Sequence, residues 1–574
     1  MRIAVLDKDR CKPKDCNFLC VRSCPMVRTG TETIVVDEDS GKPVIVESLC
    51  TGCGICVKKC PYDAIIIVNL PEEVGEPIHR YGINGFRLYN LPTPRQGVVG
   101  VVGANGVGKS TVLKILAGEI QPNLGELEED TDWSRIIELF RGKEIQGYLE
   151  KLSTGEVKAV YKPQYIDTIP KHVKGRVDRV LTKGDENGRL EEIIEKLDLG
   201  SAYEKKVTEL SGGELQRMAI TACLTKEANI YLLDEPSSYL DVRERLNVAK
   251  VIRGMEDKYV FVVEHDLVVL DYLSDYINVL FGTPGAYGVV SSIKGVRVGI
   301  NEYLYGFLKA ENMRFRDEIR FHVIPPRGEE GLAEVVSYPN LVKDYDSFHL
   351  DIDEGSLFKP EVRGVIGPNA TGKTTFIKML AGVEKPDNIS LEDKIKVSYK
   401  PQYIKPGRTK VATLKLKPEL VERFRLMPLM DRYVRELSGG ELQKVAIAEC
   451  LSHKADVYLL DEPSAYLDVE ERLALAKFLK KFMAQNETSF LVIDHDIMLI
   501  DYLSDRLMVF EGEPGRNGRA LKPMGLREGM NHFLNQMDVT FRRDPDTGRP
   551  RANKKDSIKD REQKNTGEYY YVGK

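Results

Sequence analysis

Six short segments of this 574-residue chain occur twice, in the same order. GANGVGKS (103–110) returns as GPNATGKT (367–374), YKPQYI (161–166) as YKPQYI (399–404), and LSGGELQR (210–217) as LSGGELQK (437–444). YLLDEPSSYLD (231–241) returns as YLLDEPSAYLD (458–468), VVEHD (262–266) as VIDHD (492–496), and DYLSD (271–275) unchanged at 501–505. An ordered duplication restricts the chain to two copies of one domain plus whatever lies outside them. The spacing between copies is 264 residues at Lys109/Lys373, 238 at Gln164/Gln402 and 227 at Ser211/Ser438. It stays at 227 for Asp234/Asp461 and is 230 for His265/His495. Copy one therefore holds 26 additional residues between its first two segments and 11 more before the third.

The first segment is GxxxxGK[ST], placed after β-rich runs (GVVGVVG; RGVIG) and before helical ones (STVLKILAG; TTFIKMLAG). In that setting it is a phosphate-binding loop. Gly103, Gly106 and Gly108, with Gly367 and Gly372, let backbone N–H groups approach phosphates, and the helix dipole adds to the attraction. Asn105 and Asn369 belong to the same loops. Lys109 and Lys373 reach the β/γ-phosphates, and Ser110 and Thr374 hold Mg²⁺. The apolar runs NIYLLDE and DVYLLDE read as buried strands ending in two acids. Asp234 and Asp461 suit the Mg²⁺ shell, and Glu235 and Glu462 suit polarisation of an attacking water. Tyr81 and Tyr345 each precede their loop lysine by 28 residues, with Phe86 and Phe348 just behind. Stacking on an adenine and ordinary core packing are both open to these rings.

Eight of the ten cysteines lie in the first 60 residues. CTGCGICVKKCP (50–61) has the C-x2-C-x2-C-x3-C-P spacing of bacterial two-cluster ferredoxins. CKPKDCNFLCVRSCP (11–25) is looser but ends in the same Cys-Pro. Disulfides need an oxidising compartment, and the N-terminus lacks the apolar core of an export signal; zinc is the remaining alternative. In ferredoxin-type pairs the fourth cysteine of each run ligates the other cluster. The expectation is Cys11, Cys16, Cys20 and Cys60 around one 4Fe–4S cluster, and Cys50, Cys53, Cys56 and Cys24 around the other.

With 83 Lys+Arg against 88 Asp+Glu, the chain is too balanced for a wholly basic nucleic-acid binder, so any polyanion surface is local. No apolar run approaches the ~20 residues that span a bilayer, and the reading excludes integral membrane and secreted proteins. The 26-residue excess falls within 121–160. There Trp133, Ile136, Ile137 and Phe140, then Ile145, Tyr148, Leu149 and Leu152, repeat at helical spacing around Gly142. Two short amphipathic helices are expected, packed on the host domain or facing a partner. GVRVGINEYL (295–304) and GLREGMNHFL (525–534) form a second repeated pair, read as connectors. The final stretch, 541–574, with ten Lys/Arg and six Asp/Glu, reads as a solvated or polyanion-facing strip.

The order of phosphate loop, glutamine loop, LSGGE, YLLDEP and HD resembles the ATP-binding-cassette ATPases. Joined to two ferredoxin-type runs, an insert and paired connectors, it is similar throughout to one family among them, the ribosome-recycling ATPases also called ribonuclease L inhibitors. The resemblance implies an α/β fold class: two tandem nucleotide-binding domains behind a ferredoxin-like two-cluster domain. The implied limits are 1–74 for the cluster domain, 75–290 for cassette one with its insert at about 126–155, 291–320 for connector one, 321–513 for cassette two, and 514–574 for connector two with a basic end. Each ATP would lie between one cassette's loop and the other's signature. Site one would join Lys109, Ser110, Thr111, Gln164, Asp234, Glu235 and His265 to Ser438, Gly439 and Gly440. Site two would join Lys373, Thr374, Thr375, Gln402, Asp461, Glu462 and His495 to Ser211, Gly212 and Gly213. Gln164 and Gln402 would join Ser110 and Thr374 at Mg²⁺.

The implied activity is ATP hydrolysis to ADP and phosphate, with two 4Fe–4S clusters and Mg²⁺ as cofactors. ATP would close the cassettes, hydrolysis would reopen them, and the cluster domain would swing as a lever that splits ribosomes in the cytoplasm. The implied partners are the small ribosomal subunit with its RNA and proteins, a release factor or Pelota-like protein, and initiation factors, with no membrane. The competing functions are an ATP-coupled iron–sulfur redox enzyme, a transporter's soluble energising subunit, and a scaffold with a regulatory ATPase.

Overall fold

A computed structural model describes residues 2–69, 75–127, 131–321, 333–389, 396–404 and 407–570. The expected domain limit at residue 74, part of the 126–155 insert, most of the segment opening cassette two and the last four residues lie outside these. The chain divides into two compact units. One comprises Met1–Pro236, Val251–His265 and Leu273–Glu318; the other comprises Ser237–Lys250, Asp266–Tyr272 and Ile319–Lys574.

The first unit is built on a nine-stranded sheet. Along its main path the order is His79–Arg80, Arg87–Tyr89, Tyr287–Val290, Tyr276–Thr283, Gly97–Val102, Tyr259–Val263, Ile230–Asp234 and Ala159–Lys162. Tyr276–Thr283 through Ala159–Lys162 run parallel. Helices cover parallel sheets on both faces, which is why strands such as GVVGVV are apolar at every position and wholly buried. The second unit repeats the plan with Val362–Ile366, Ser489–Ile493, Val457–Asp461 and Val397–Lys400 in the matching places. In both, the phosphate loop leaves a central strand and enters a helix, Lys109–Leu116 or Lys373–Leu380.

Residues 2–69 form a small module of two antiparallel strand pairs, Arg2–Leu6 with Ile65–Asn69 and Ile34–Val36 with Pro43–Ile45, plus short helices. Its core holds Ala4, Leu6, Ile34, Ile45 and Ala64 together with Cys20, Cys24 and Cys56. So small a core needs additional staples. The module is held by a six-residue loop of the same unit, YGINGF (81–86). Asn84 is buried there: its Oδ1 accepts from Ile45 N at 2.7 Å, and its Nδ2 donates to the Ile45 carbonyl at 2.9 Å. Arg87 adds an ion pair to Glu47.

The insert forms two helices, Trp133–Leu139 and Gln146–Ser153, around Gly142. Ile136, Phe140, Ile145 and Leu149 enter the core of the first unit, with Trp133 and Tyr148 packed against it. Its apolar stripes therefore serve packing. The repeated connectors are helices Val296–Tyr305 and Leu526–Gln536, each followed by a small hairpin.

The expectation of a solvated or polyanion-facing strip at 541–574 holds for Lys554, Lys555, Lys559 and Arg561, which are exposed, and is corrected by the structure for three arginines. Within the second unit Arg549 is fully buried and pairs with Asp271 at 2.6 Å, joined by Arg551 at 2.7 Å. Arg543 pairs with Asp501 at 2.6 Å. Asp271 and Asp501 head the two DYLSD segments, so the arginines meet the same acid of each repeat. Buried carboxylates without such partners would carry a desolvation cost of several kcal/mol. Among the described residues no helix is long and apolar enough to cross a membrane.

Candidate functional site

Each phosphate loop is shaped by left-handed backbone at fixed positions. Gly108 has φ +95°, and a Cβ there would lie 2.7 Å from Cζ of Phe86, whose ring packs beneath the loop. Where copy one has Gly106 at φ +78°, copy two has Ala370 at +55°, a strain of roughly 1 kcal/mol held in place by its surroundings. The loop lysines fold back onto their own loops. Lys109 Nζ donates to the Gly103 and Ala104 carbonyls at 2.9 and 2.8 Å, and Lys373 does the same to Gly367 and Pro368. These are the donors an anionic phosphate would draw away.

Opposite the loop, the DE pair ends a buried strand. Glu235 and Glu462 both have φ +47°, outside the range L-residues favour, and the recurrence at both copies marks strain retained at a functional position. The turn is held from beneath. Lys162 Nζ donates to the Asp234 and Glu235 carbonyls, and Lys400 Nζ to those of Asp461 and Glu462. Gln216 donates to the Glu235 and Pro236 carbonyls, and Gln443 to that of Glu462. These four supports were not singled out from sequence, although YKPQYI and LSGGELQ contain them.

The side chains converge in the same way in both units. Gln164 Nε2 donates to Glu235 Oε1 at 2.6 Å, and His265 Nε2 is 3.3 Å from the same oxygen. Gln402 and His495 repeat this on Glu462 at 2.7 and 3.3 Å. Burial works against ionisation of Glu235, yet His265, Lys109 and Gln164 outweigh it and hold the carboxyl down at about 2. A carboxylate kept ionised beside a histidine can orient and polarise water.

Asp461 is fully buried, and burial with the nearby charge of Glu462 raises its carboxyl to about 6. Neither of its oxygens accepts a well-formed hydrogen bond, although the Thr374 hydroxyl is close enough to pull against the shift. Asp234 is likewise raised by burial, opposed by the Ser110 hydroxyl, and accepts from Tyr161 at 3.2 Å. A buried acid beside a hydroxyl and a phosphate-loop lysine fits an Mg²⁺–triphosphate.

Tyr81 and Tyr345 remain 46% and 45% exposed, while Phe86 and Phe348 pack against the cores. The tyrosines are thus the more exposed rings, Tyr81 packed edge-on against His79 and Tyr345 tilted on Phe348. Ser211 and Ser438 cap the helices Gly212–Leu224 and Gly439–Ser452, each in a capping box with Glu214 or Glu441. That leaves glycine N–H groups at a helix start, a place suited to anions.

The cysteines separate into two sets. Cys11, Cys16, Cys20 and Cys60 line one cavity; Cys24, Cys50, Cys53 and Cys56 line another. These are the crossed sets expected from the spacing. Burial pushes the Cys20 and Cys56 thiols up to about 11, with cysteines of the same set adding to each shift. Among the described residues no three such donors converge as a single ion requires, while each four-thiol cavity fits a cluster, whose irons would favour the thiolates.

Residues 87–238 and 350–465 match the family model described as ABC transporter, 1–32 a Fer4-like domain of RNase L inhibitor, and 43–66 a 4Fe–4S binding domain. The chain therefore holds two tandem cassettes behind 4Fe–4S domains and uses ATP with Mg²⁺. Translation initiation factor RLI1 of Saccharomyces cerevisiae is 45% identical, covering 100% of this chain and 98% of the relative. A solved structure described as ribosome-bound archaeal Pelota and ABCE1 contains a chain 55% identical, with a TM-score of 0.93 over 100% of this chain and 99% of that one. A second, of archaeal ribosomal stalk protein aP1 with archaeal ribosome recycling factor aABCE1, gives 55% identity and a TM-score of 0.83 over 87% and 99%.

Proposed function

Because this chain belongs to the RNase L inhibitor family of ATP-binding-cassette proteins, we propose that it is an ATP-driven ribosome recycling factor working in the cytoplasm. It is an ATPase. One observation carries the reading: two matched Glu–His–Gln constellations and two crossed four-thiol cavities occur in a single chain. A redox enzyme has no need of the first pair, and a transporter's energising subunit has no need of the second.

In this reading the domains follow the limits 1–74, 75–290, 291–320, 321–513 and 514–574. Glu235 and Glu462 orient the attacking water, His265 and His495 contact the γ-phosphate, and Tyr81 and Tyr345 stack on adenine. Ser438, Gly439 and Gly440 complete the site of Lys109, and Ser211, Gly212 and Gly213 that of Lys373. A nucleotide contacted by both cassettes favours their closed state by the difference in its affinity for the two states. Nearly complete closure from a mostly open state takes ~5.5 kcal/mol of such difference. The cluster module, tied to its unit by Asn84 and Arg87, is carried with that unit. Its partners are the small ribosomal subunit with its RNA and proteins, the ribosomal stalk protein, and a Pelota-like or release factor.

Density-gradient analysis tests the reading. Ribosomes incubated with this protein, a Pelota-like factor and ATP should separate into subunits, and ADP in place of ATP should leave them joined. Intact ribosomes under all conditions would overturn it.

A further inference from the structure

We infer that the second copy carries, just ahead of its signature helix, a surface for a single-stranded RNA segment, centred on Tyr433 with Lys410 and Arg435. The inference deepens the ribosome reading by naming one RNA-facing surface. It begins from a difference between the copies. Residues 408–437 contain eight Lys/Arg and four Asp/Glu, whereas the corresponding 174–210 contain eight and nine. The two copies carry the same number of cations, and copy two has five fewer acids over a segment seven residues shorter.

The structure shows what this does locally. In copy one, Arg176 bridges to Lys206 across two chain segments, and both are ion-paired: Arg176 with Asp178 at 3.0 Å and Lys206 with Glu209 at 3.8 Å. In copy two the equivalent bridge joins Lys410 to Tyr433. The pairing is fixed by Val411 N to the Arg432 carbonyl and Val434 N to that of Thr409, with Val411 and Val434 turned into the core. Lys410 and Tyr433 are therefore left on the outer side. The Lys410 ammonium is 6.0 Å from the Tyr433 ring centre, and the Arg435 guanidinium 5.3 Å. Among the described residues neither cation has an acidic partner, and neither does Arg408 nearby. The ring is 37% exposed.

An exposed aromatic ring between two unpaired cations offers a base a stacking face and the adjoining phosphates two charges, the combination that holds single strands without sequence preference. A merely solvated face would not need the ring, and a structural ring would not need both cations left without acids. Copy one, with Lys206 and Thr208 in place of Tyr433 and Arg435, provides an internal control.

The test is fluorescence anisotropy of a short labelled oligouridine with the full, cluster-loaded chain. Tyr433→Ala should weaken binding about tenfold or more, and Tyr433→Phe should retain it. Lys410→Gln with Arg435→Gln should lower the slope of log affinity against log salt by about 1.4. Arg176→Gln with Lys206→Gln should leave affinity and slope unchanged. The inference is overturned if Tyr433→Ala binds normally, if the copy-one variant loses as much as the copy-two variant, or if Tyr433→Ala weakens inorganic polyphosphate as much as oligouridine. The assay needs neither ribosomes nor hydrolysis, so its failure is distinct from failure of subunit splitting.

Discussion

Asn84 and Ile45 exchange two hydrogen bonds, at 2.7 and 2.9 Å, across the join between a cassette loop and the cluster module. The loop that presents Asn84 begins at Tyr81, whose hydroxyl is 3.3 Å from that of Thr111 beside the phosphate loop. It ends at Phe86, packed under Gly108. Copy two spans the same interval, Tyr345 to Phe348, with two residues fewer and no counterpart of Asn84. Asn84→Ala strands the Ile45 amide and carbonyl in a buried place, a cost of about 1–3 kcal/mol per group. Hydrogen exchange should rise by about two to four orders of magnitude over residues 2–69 and stay unchanged in the second unit.

Glu235 and Glu462 each accept from a glutamine and lie beside a histidine, so removing the carboxylate removes the group that orients water and leaves the phosphate contacts. Glu235→Gln with Glu462→Gln should lower steady-state hydrolysis by about 10²–10⁴-fold. Equilibrium binding of ATP, read by a fluorescent analogue, should change by less than about threefold.

Crossed ligation has an unusual genetic consequence. Cys60→Ser lies in the second run yet should remove the cluster held with Cys11, Cys16 and Cys20, and Cys24→Ser should remove the other. Each single variant should fall from about eight irons per chain to about four, and the double variant to none. Uncrossed ligation would be shown by Cys60→Ser with Cys50→Ser retaining about four irons.

Asp461 titrates near 6 in the free protein because burial and Glu462 disfavour its charge. A raised carboxyl keeps its proton below that pH, and Mg²⁺ has to displace it. Affinity of the second copy for Mg²⁺–nucleotide should therefore be constant above about pH 7 and fall roughly tenfold per pH unit below pH 6. Isothermal titration across pH 5–8 reads this, and Asp461→Asn should bind weakly with no such slope.

Much of the site was legible in the sequence because its chemistry admits few residue types. Only backbone without a side chain fits Gly108 over Phe86, only a long cation at Lys109 reaches phosphates from a helix start, and two four-cysteine runs, each ending in Cys-Pro, sort into two cages. The arginines of the last segment were misread for the opposite reason. Charge counts along 541–574 say nothing of where Asp271 and Asp501 fold to, and it is those acids that turn Arg549 and Arg543 from solvated groups into buried ones. Lys162 and Lys400 were overlooked likewise. Their partners are backbone carbonyls, which leave no mark in a residue pattern.

In the proposed function each nucleotide is completed by the other copy's signature, and single-turnover hydrolysis by paired variants reads which signature serves which site. With Glu462→Gln in place, only the site of Glu235 hydrolyses ATP. Adding Ser438→Arg should then abolish the remaining turnover, and adding Ser211→Arg should leave it within about twofold. The reverse pattern, with Ser211→Arg abolishing and Ser438→Arg sparing hydrolysis at Glu235, would show that each copy works with its own signature and would contradict the account.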